Sequence, residues 1–151
     1  MNVPTEIIEL VPECSQEKMV IVAKTIWGEA RGESADGQIG VGCVIRNRVS
    51  DPSWWGDSFE QVCLKSGQFS CWAEEKAQLE ALDIRTDPDF RQCLWVSIGV
   101  VYNYIRDLTR GADHYLAKWM IEKNMAPAWA ARNKPVIQVG NHLFYKLGPR
   151  G

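Results

Sequence analysis

Glu29 and Glu33, four residues apart in IWGEARGES (Ile26–Ser34), are the side chains whose type and spacing point to chemistry. At i and i+4 they share a face if a helix runs on through Gly32. Two carboxylates astride a glycosidic bond are the usual equipment of a glycosidase, one protonating the leaving oxygen while the other activates water or attacks. Glu29 follows an aliphatic, helix-patterned run and stands beside Trp27. A carboxylate in apolar surroundings disfavours its charged form, so its pKa rises and it becomes a competent acid near neutral pH. On this fragment alone, two solvated glutamates at a helix end account for the pattern better.

The 151 residues suit one domain with a sizeable core, read as a single catalytic domain over 1–151 with a loosely attached arm over 1–14. Ser15 is expected to cap a helix from Gln16 to about Arg31. Met19, Val20, Ala23, Ile26, Trp27 and Ala30 recur there at three and four residues, and Gly32 stops it. A second helix is predicted over Ala35–Val49, where Gly37, Gly40 and Gly42 permit close packing against a neighbour. A short helix follows at Phe59–Leu64, then a loop through KSGQFSCW and a surface helix over Ala73–Asp83. Asp87 and Pro88 open a long helix expected to reach Leu108. Beyond it, HYLA, PVIQV and HLFYK are short β-rich runs, the last two separated by Gly140-Asn141, which predicts a small hairpin. Phe144 alternates with Leu143 and Tyr145, so one face of that strand is expected in the core. The fold class is α+β, mainly helical, with a small antiparallel sheet near the C-terminus.

Composition excludes several function classes. A formal net charge of -2 gives no strong pull toward nucleic acid or an anionic membrane. The opening MNVPTEIIELVPE has no basic n-region and carries acids at Glu6 and Glu9. It is read as no signal peptide, so synthesis is expected in the cytoplasm, and no apolar stretch is long enough to cross a bilayer. Five cysteines are an odd number without a CxxC pair, so buried free thiols are expected, and with two histidines no metal site or cofactor is. Seven tryptophans fit either a large aromatic core or a groove whose rings stack on sugar faces.

Four ordered motifs carry a resemblance over about residues 18–147: TIWGEARGES with DGQIGVGCVIRNRV; GQFSCW at Gly67–Trp72; GADHYLA from Gly111 with APAW at Ala126–Trp129; and VGNHLFYK at Val139–Lys146. The sequence resembles the SleB-type cell wall hydrolases, the family of the spore cortex-lytic catalytic domain. The HY of the third motif departs from the aromatic pair and Asn-Pro of the spore proteins, which argues against a role in germination. The resemblance implies a lysozyme-like, mainly helical peptidoglycan glycosidase with one essential glutamate, Glu29. It further implies a lytic transglycosylase cleaving between N-acetylmuramic acid and N-acetylglucosamine, in which the muramoyl 6-hydroxyl replaces water as nucleophile. Glu33 is then a second or orienting carboxylate, holding Arg31 or a substrate amide.

Within that resemblance, Gln68 and Ser70 are suited to an acetamido group or a sugar hydroxyl, or else cap their loop. Phe69 lines a subsite or packs in the core. Tyr115 is expected to donate a hydrogen bond near the anomeric carbon, and Trp129 to stack on a sugar. His142 is expected to make a structural hydrogen bond rather than to exchange protons, and Tyr145 to join the binding wall. The alternatives are a hydrolytic muramidase, an N-acetylmuramoyl-L-alanine amidase, which usually needs a zinc cage or an activated cysteine, and an inactive glycan-binding module. The expected partner is bacterial peptidoglycan, with no nucleic acid and no stable membrane insertion, for a monomer. The expected setting is a phage endolysin released to the wall by a holin, although a domain cut from a larger bacterial or virion protein would look similar.

Overall fold

The computed structural model describes residues 13–150, with side chains from Gln16 onward. Residues 1–12 of the arm expected over 1–14 and the thiol of Cys14 lie outside the described residues, while Glu13 and Cys14 already belong to the first helix. The elements are α1 (Glu13–Ala30), α2 (Ala35–Ser50), α3 (Phe59–Leu64), α4 (Cys71–Glu74), α5 (Lys76–Glu80), α6 (Pro88–Val101), β1 (His114–Ala117), α7 (Lys118–Glu122), α8 (Ala128–Arg132), β2 (Ile137–Val139) and β3 (His142–Tyr145). The chain is thus α+β and mainly helical, with an antiparallel three-stranded sheet of order β1-β3-β2.

α1 packs chiefly along α6, burying Met19, Val22, Ala23 and Ile26 against Cys93, Leu94, Val96 and Val100. The helix is already formed at Glu13, so Ser15 lies within it and is not its cap. It ends where expected, because Gly32 adopts φ +85°. Ser34 then caps α2 by accepting from the Gly37 amide at 3.2 Å. α2 carries notches on two faces. A Cβ on Gly40 would stand 2.5 Å from Phe144 Cζ, and one on Gly42 2.8 Å from Val100 Cγ2. The missing side chains let one helix bind the sheet on one side and α6 on the other.

Two predicted helices differ from those observed. α6 stops at Val101 instead of Leu108, because Asn103 takes a left-handed φ of 61° and the amides of Tyr104 and Ile105 both return to the Gly99 carbonyl. Ile105 therefore keeps its helical-looking spacing while folding back onto Gly99. The Ala73–Asp83 segment is broken into α4 and α5 at Glu75, whose carboxylate is held by Arg31. α4 also begins at Cys71, inside the stretch read as loop.

β3 is the central strand and both its faces are covered, contrary to the one-sided expectation. Phe144 packs with Val44 and Ala112, while Tyr145 packs with Leu116 and Ala130. The sheet is moored by three successive residues at the end of α2. Arg46 Nη1 donates to the Ile105 carbonyl at 2.7 Å, Asn47 Nδ2 to the Ala112 carbonyl at 2.9 Å, and Arg48 Nε to the Asp113 carbonyl at 2.8 Å. Asp107 closes the same loop, accepting from Thr109, Gly111 and Asn47. The segment entering β1 is fixed against α2, and with it the position of Tyr115.

Candidate active site

A cleft of about 480 Å³ opens between the helical layer and the sheet, with Glu29 in its wall. α1 brings Glu29; the loop before α4 brings Gln68, Phe69 and Ser70; β1 brings His114 and Tyr115; α8 brings Trp129. Glu29 is the one carboxylate among the lining residues. Burial raises its pKa above the usual carboxylate value, partly offset by hydrogen bonds from the Cys71 thiol and the Tyr115 hydroxyl, while nearby Glu74 and Glu75 push it further up. The same burial and the Glu29 charge raise the Tyr115 pKa well above that of a free phenol, so Tyr115 stays protonated as a donor.

The expected source of desolvation was Trp27, and the structure corrects this. Residues two apart on a helix do not share a face. Trp27 does not line the cleft, and the Arg31 guanidinium covers its ring at 4.1 Å. The groups that touch the Glu29 carboxylate are the Cys71 thiol and the Tyr115 hydroxyl.

The other expected residues divide clearly. Gln68 donates its Nε2 to the carbonyls of Val62 and Trp55, which fixes the amide orientation and leaves Oε1 without a partner. Ser70 occupies the cap position of α4 but makes no capping hydrogen bond, so its hydroxyl is left to the cleft. Phe69 is both core and lining, as its two readings allowed. Trp129 lines the cleft with its ring against His114 at 5.1 Å and edge-on to Tyr145 at 5.2 Å.

Three residues are elsewhere. Glu33 lies past Gly32 and accepts from Asn141 Nδ2 at 3.2 Å; it neither lines the cleft nor holds Arg31, which pairs with Glu75. Tyr145 is 1% exposed, in the core behind Trp129. His142 is buried and packs edge-on to Tyr115 at 5.3 Å, but its Nδ1 has no hydrogen-bond partner, so the expected structural hydrogen bond is replaced by ring packing. Burial lowers its pKa, which keeps the ring neutral.

Sequence reading missed Arg48, Trp54 and His114 as cleft residues and Cys71 as a neighbour of Glu29. His114 Nδ1 lies 2.8 Å from the Asp113 carboxylate. Burial works to raise the Asp113 pKa, but hydrogen bonds from His114 and the Leu147 and Gly148 amides outweigh it and hold the carboxylate ionised. The motif positions GADHY and IRNRV were the available signal for His114 and Arg48. Cys71 likewise stands inside the GQFSCW motif. A second groove of about 540 Å³ lies across Trp54, lined by Glu60, Gln61, Leu64 and Lys65.

A family model described as Cell Wall Hydrolase matches residues 32–145. The chain belongs to this family. The span of this cell wall hydrolase that matches starts three residues after Glu29, so the reading of Glu29 stands on its surroundings. Among solved structures, the hydrolase is similar to the catalytic domain of the Bacillus cereus SleB protein, with TM-score 0.68 and 23% identity over 90% of this chain and 95% of that one. It is also similar to the catalytic domain of the germination-specific lytic transglycosylase SleB from Bacillus anthracis, with TM-score 0.69 and 23% identity over 90% of this chain and all of that one. At this identity the likeness is one of fold. No curated protein matches the sequence. Among the described residues, no helix is long and apolar enough to cross a membrane.

Proposed function

We propose that this cell wall hydrolase is a peptidoglycan lytic transglycosylase in which Glu29 serves as both acid and base. The observation that carries the reading is a single desolvated carboxylate in an aromatic-walled cleft, hydrogen-bonded by Tyr115 and Cys71. Protonated Glu29 gives its proton to the glycosidic oxygen between N-acetylmuramic acid and N-acetylglucosamine as that bond breaks. The resulting carboxylate removes the proton of the muramoyl 6-hydroxyl, whose oxygen closes on the anomeric carbon to form the 1,6-anhydro ring. Tyr115 steadies the carboxylate formed between the two steps.

A two-carboxylate hydrolase needs its second acid within about 5–9.5 Å across the bond. Glu33 faces Asn141, and Glu75 is occupied by Arg31, which favours the internal nucleophile over water. Trp129 and Trp54 supply ring faces for sugars, and the uncapped Ser70 hydroxyl suits an acetamido group or a sugar hydroxyl. The same reading puts the enzyme to work on the bacterial wall in lysis.

Mass spectrometry of the products from purified peptidoglycan tests the proposal. Anhydromuramoyl ends are expected. Reducing muramic acid ends would make the enzyme a muramidase, and release of peptide alone would make it an amidase.

A further inference from the structure

Arg48 is a buried cation without a counter-ion in the wall of the Glu29 cleft. It is 7% exposed, with Trp55 and Phe69 rings 5.4 and 5.6 Å from its Cζ. Its Nε is satisfied by the Asp113 carbonyl at 2.8 Å. The Asp113 carboxylate is already taken by His114 and the Leu147 and Gly148 amides. Among the described residues, no carboxylate lies within ion-pair distance of Arg48, and its terminal Nη nitrogens have no hydrogen-bond acceptor. Those nitrogens are not among the orphaned atoms sealed inside the protein, and Arg48 lines the cleft, so they open onto it. A buried charge left without a partner is strongly unfavourable, and a fold that keeps one beside a binding cleft has a place for an incoming acceptor.

We propose that Arg48 is the receptor for the carboxyl end of the lactyl ether on the muramoyl sugar, as the free carboxylate or as the carbonyl of its peptide amide. The inference rests on the peptidoglycan reading above. Hydroxyl and acetamido groups occur on both sugars of the strand, whereas the lactyl group occurs on one, and a guanidinium fork matches its oxygens. The placement also fits. Arg48 shares the cleft wall with Glu29 and Tyr115 and is anchored on the Asp113 carbonyl, two residues before Tyr115. The lactyl ether branches from C3 of the same sugar whose C1 reacts, so one cleft can hold both groups. Arg48 thereby sets the register of an alternating polymer, selecting which sugar presents its anomeric carbon to Glu29.

The test uses the full chain carrying Glu29→Gln, so that ligands survive. Three tetrasaccharides are titrated by calorimetry: a GlcNAc–MurNAc glycan with free lactyl acids, the same glycan with the acids amidated by L-alanine, and chitotetraose. Both lactyl-bearing ligands are expected to bind about tenfold or more tighter than chitotetraose. Adding Arg48→Gln should erase that margin, bringing the three affinities together whatever uniform loss follows from giving up the Asp113 carbonyl contact. Arg48→Lys, which keeps the charge but not the fork, should retain part of the margin for the free acid only. Without any change at position 48, the guanidinium nitrogen resonances of Arg48 should move with the two lactyl ligands and stay put with chitotetraose. An unchanged margin in folded Arg48→Gln protein, or Arg48 resonances indifferent to the lactyl group, would overturn the inference and leave the glycan reading intact. Failure of all three ligands to bind would overturn the glycan reading itself.

Discussion

Gly28 and Cys71 share one small volume: a Cβ on Gly28 would lie 2.5 Å from Cys71 Cβ and 2.6 Å from its Sγ. The missing side chain lets the thiol reach Glu29 on the next residue. Gly28→Ala should therefore push α4 away and cut activity by about tenfold or more, with the loss concentrated in kcat. A Gly28→Ala protein with unchanged kcat would show that the thiol contact is idle.

Glu29→Gln preserves shape but cannot transfer a proton. Loss of general acid-base catalysis is typically worth about 10²–10⁴-fold, and peptidoglycan clearance should fall by at least that much in a protein that still folds. Near wild-type clearance by the folded variant would end the assignment.

The pH dependence follows from the raised Glu29 pKa. Activity requires the protonated acid, so kcat/KM should hold above the ordinary carboxylate range and decline as pH rises through the folded pKa. Stability has a matching sign. A carboxyl group whose folded pKa is raised stabilises the fold relative to its ionised form below the unfolded value of about 4.3, and that advantage is lost as pH rises through the folded pKa. Glu29→Gln should thus unfold at a higher temperature than wild type near neutral pH, with the gap closing below about pH 4. A gap that widens on acidification would contradict the burial argument.

Glu33→Gln should keep most activity, because Glu33 faces Asn141 outside the cleft. Tyr115→Phe removes a hydrogen bond from the Glu29 carboxylate and should shift the pH limb upward while lowering kcat. Paired pH–rate profiles of the two variants separate the roles. An equally inactive, folded Glu33→Gln would restore a two-carboxylate mechanism.

Full reduction should leave activity unchanged. Cys43, Cys63, Cys71 and Cys93 are free and buried, with thiols pushed up to about 11 for Cys43 and about 12 for the others, chiefly by burial. Activity assayed in dithiothreitol, alongside thermal unfolding, checks this; a loss without unfolding would contradict it.

Two boundary signals were legible, since the fold respects the stop at Gly32 and the cap at Asp87, whereas the cap that ends up on α2, Ser34, went unmarked and the one expected at Ser15 lies inside α1. The end of α6 was not legible, since Ile105 keeps helical spacing while packing back on Gly99, a tertiary contact that periodicity cannot distinguish. The helices at Lys118–Glu122 and Ala128–Arg132 are too short to establish a period. At the site, Glu29, the Gln68–Ser70 loop, Tyr115 and Trp129 were picked out by motif and do converge on one cleft. Tyr145 and His142 share their motif with exposed neighbours, yet a central strand covered on both faces takes them into the core. Cys71 and Arg48 matter through what they touch across the chain, at separations that no local window spans.

The central place of β3 has a consequence for the order in which the cleft is completed during synthesis. β1 has β3 as its sole strand neighbour among the described elements, so Tyr115 has no sheet to hold it against Glu29 until His142–Tyr145 has been synthesised. The helices that carry and pack around Glu29 all precede β1 in the chain and are synthesised well before that. A nascent chain therefore carries Glu29 before the wall that completes the cleft, which closes only once β3 has been made.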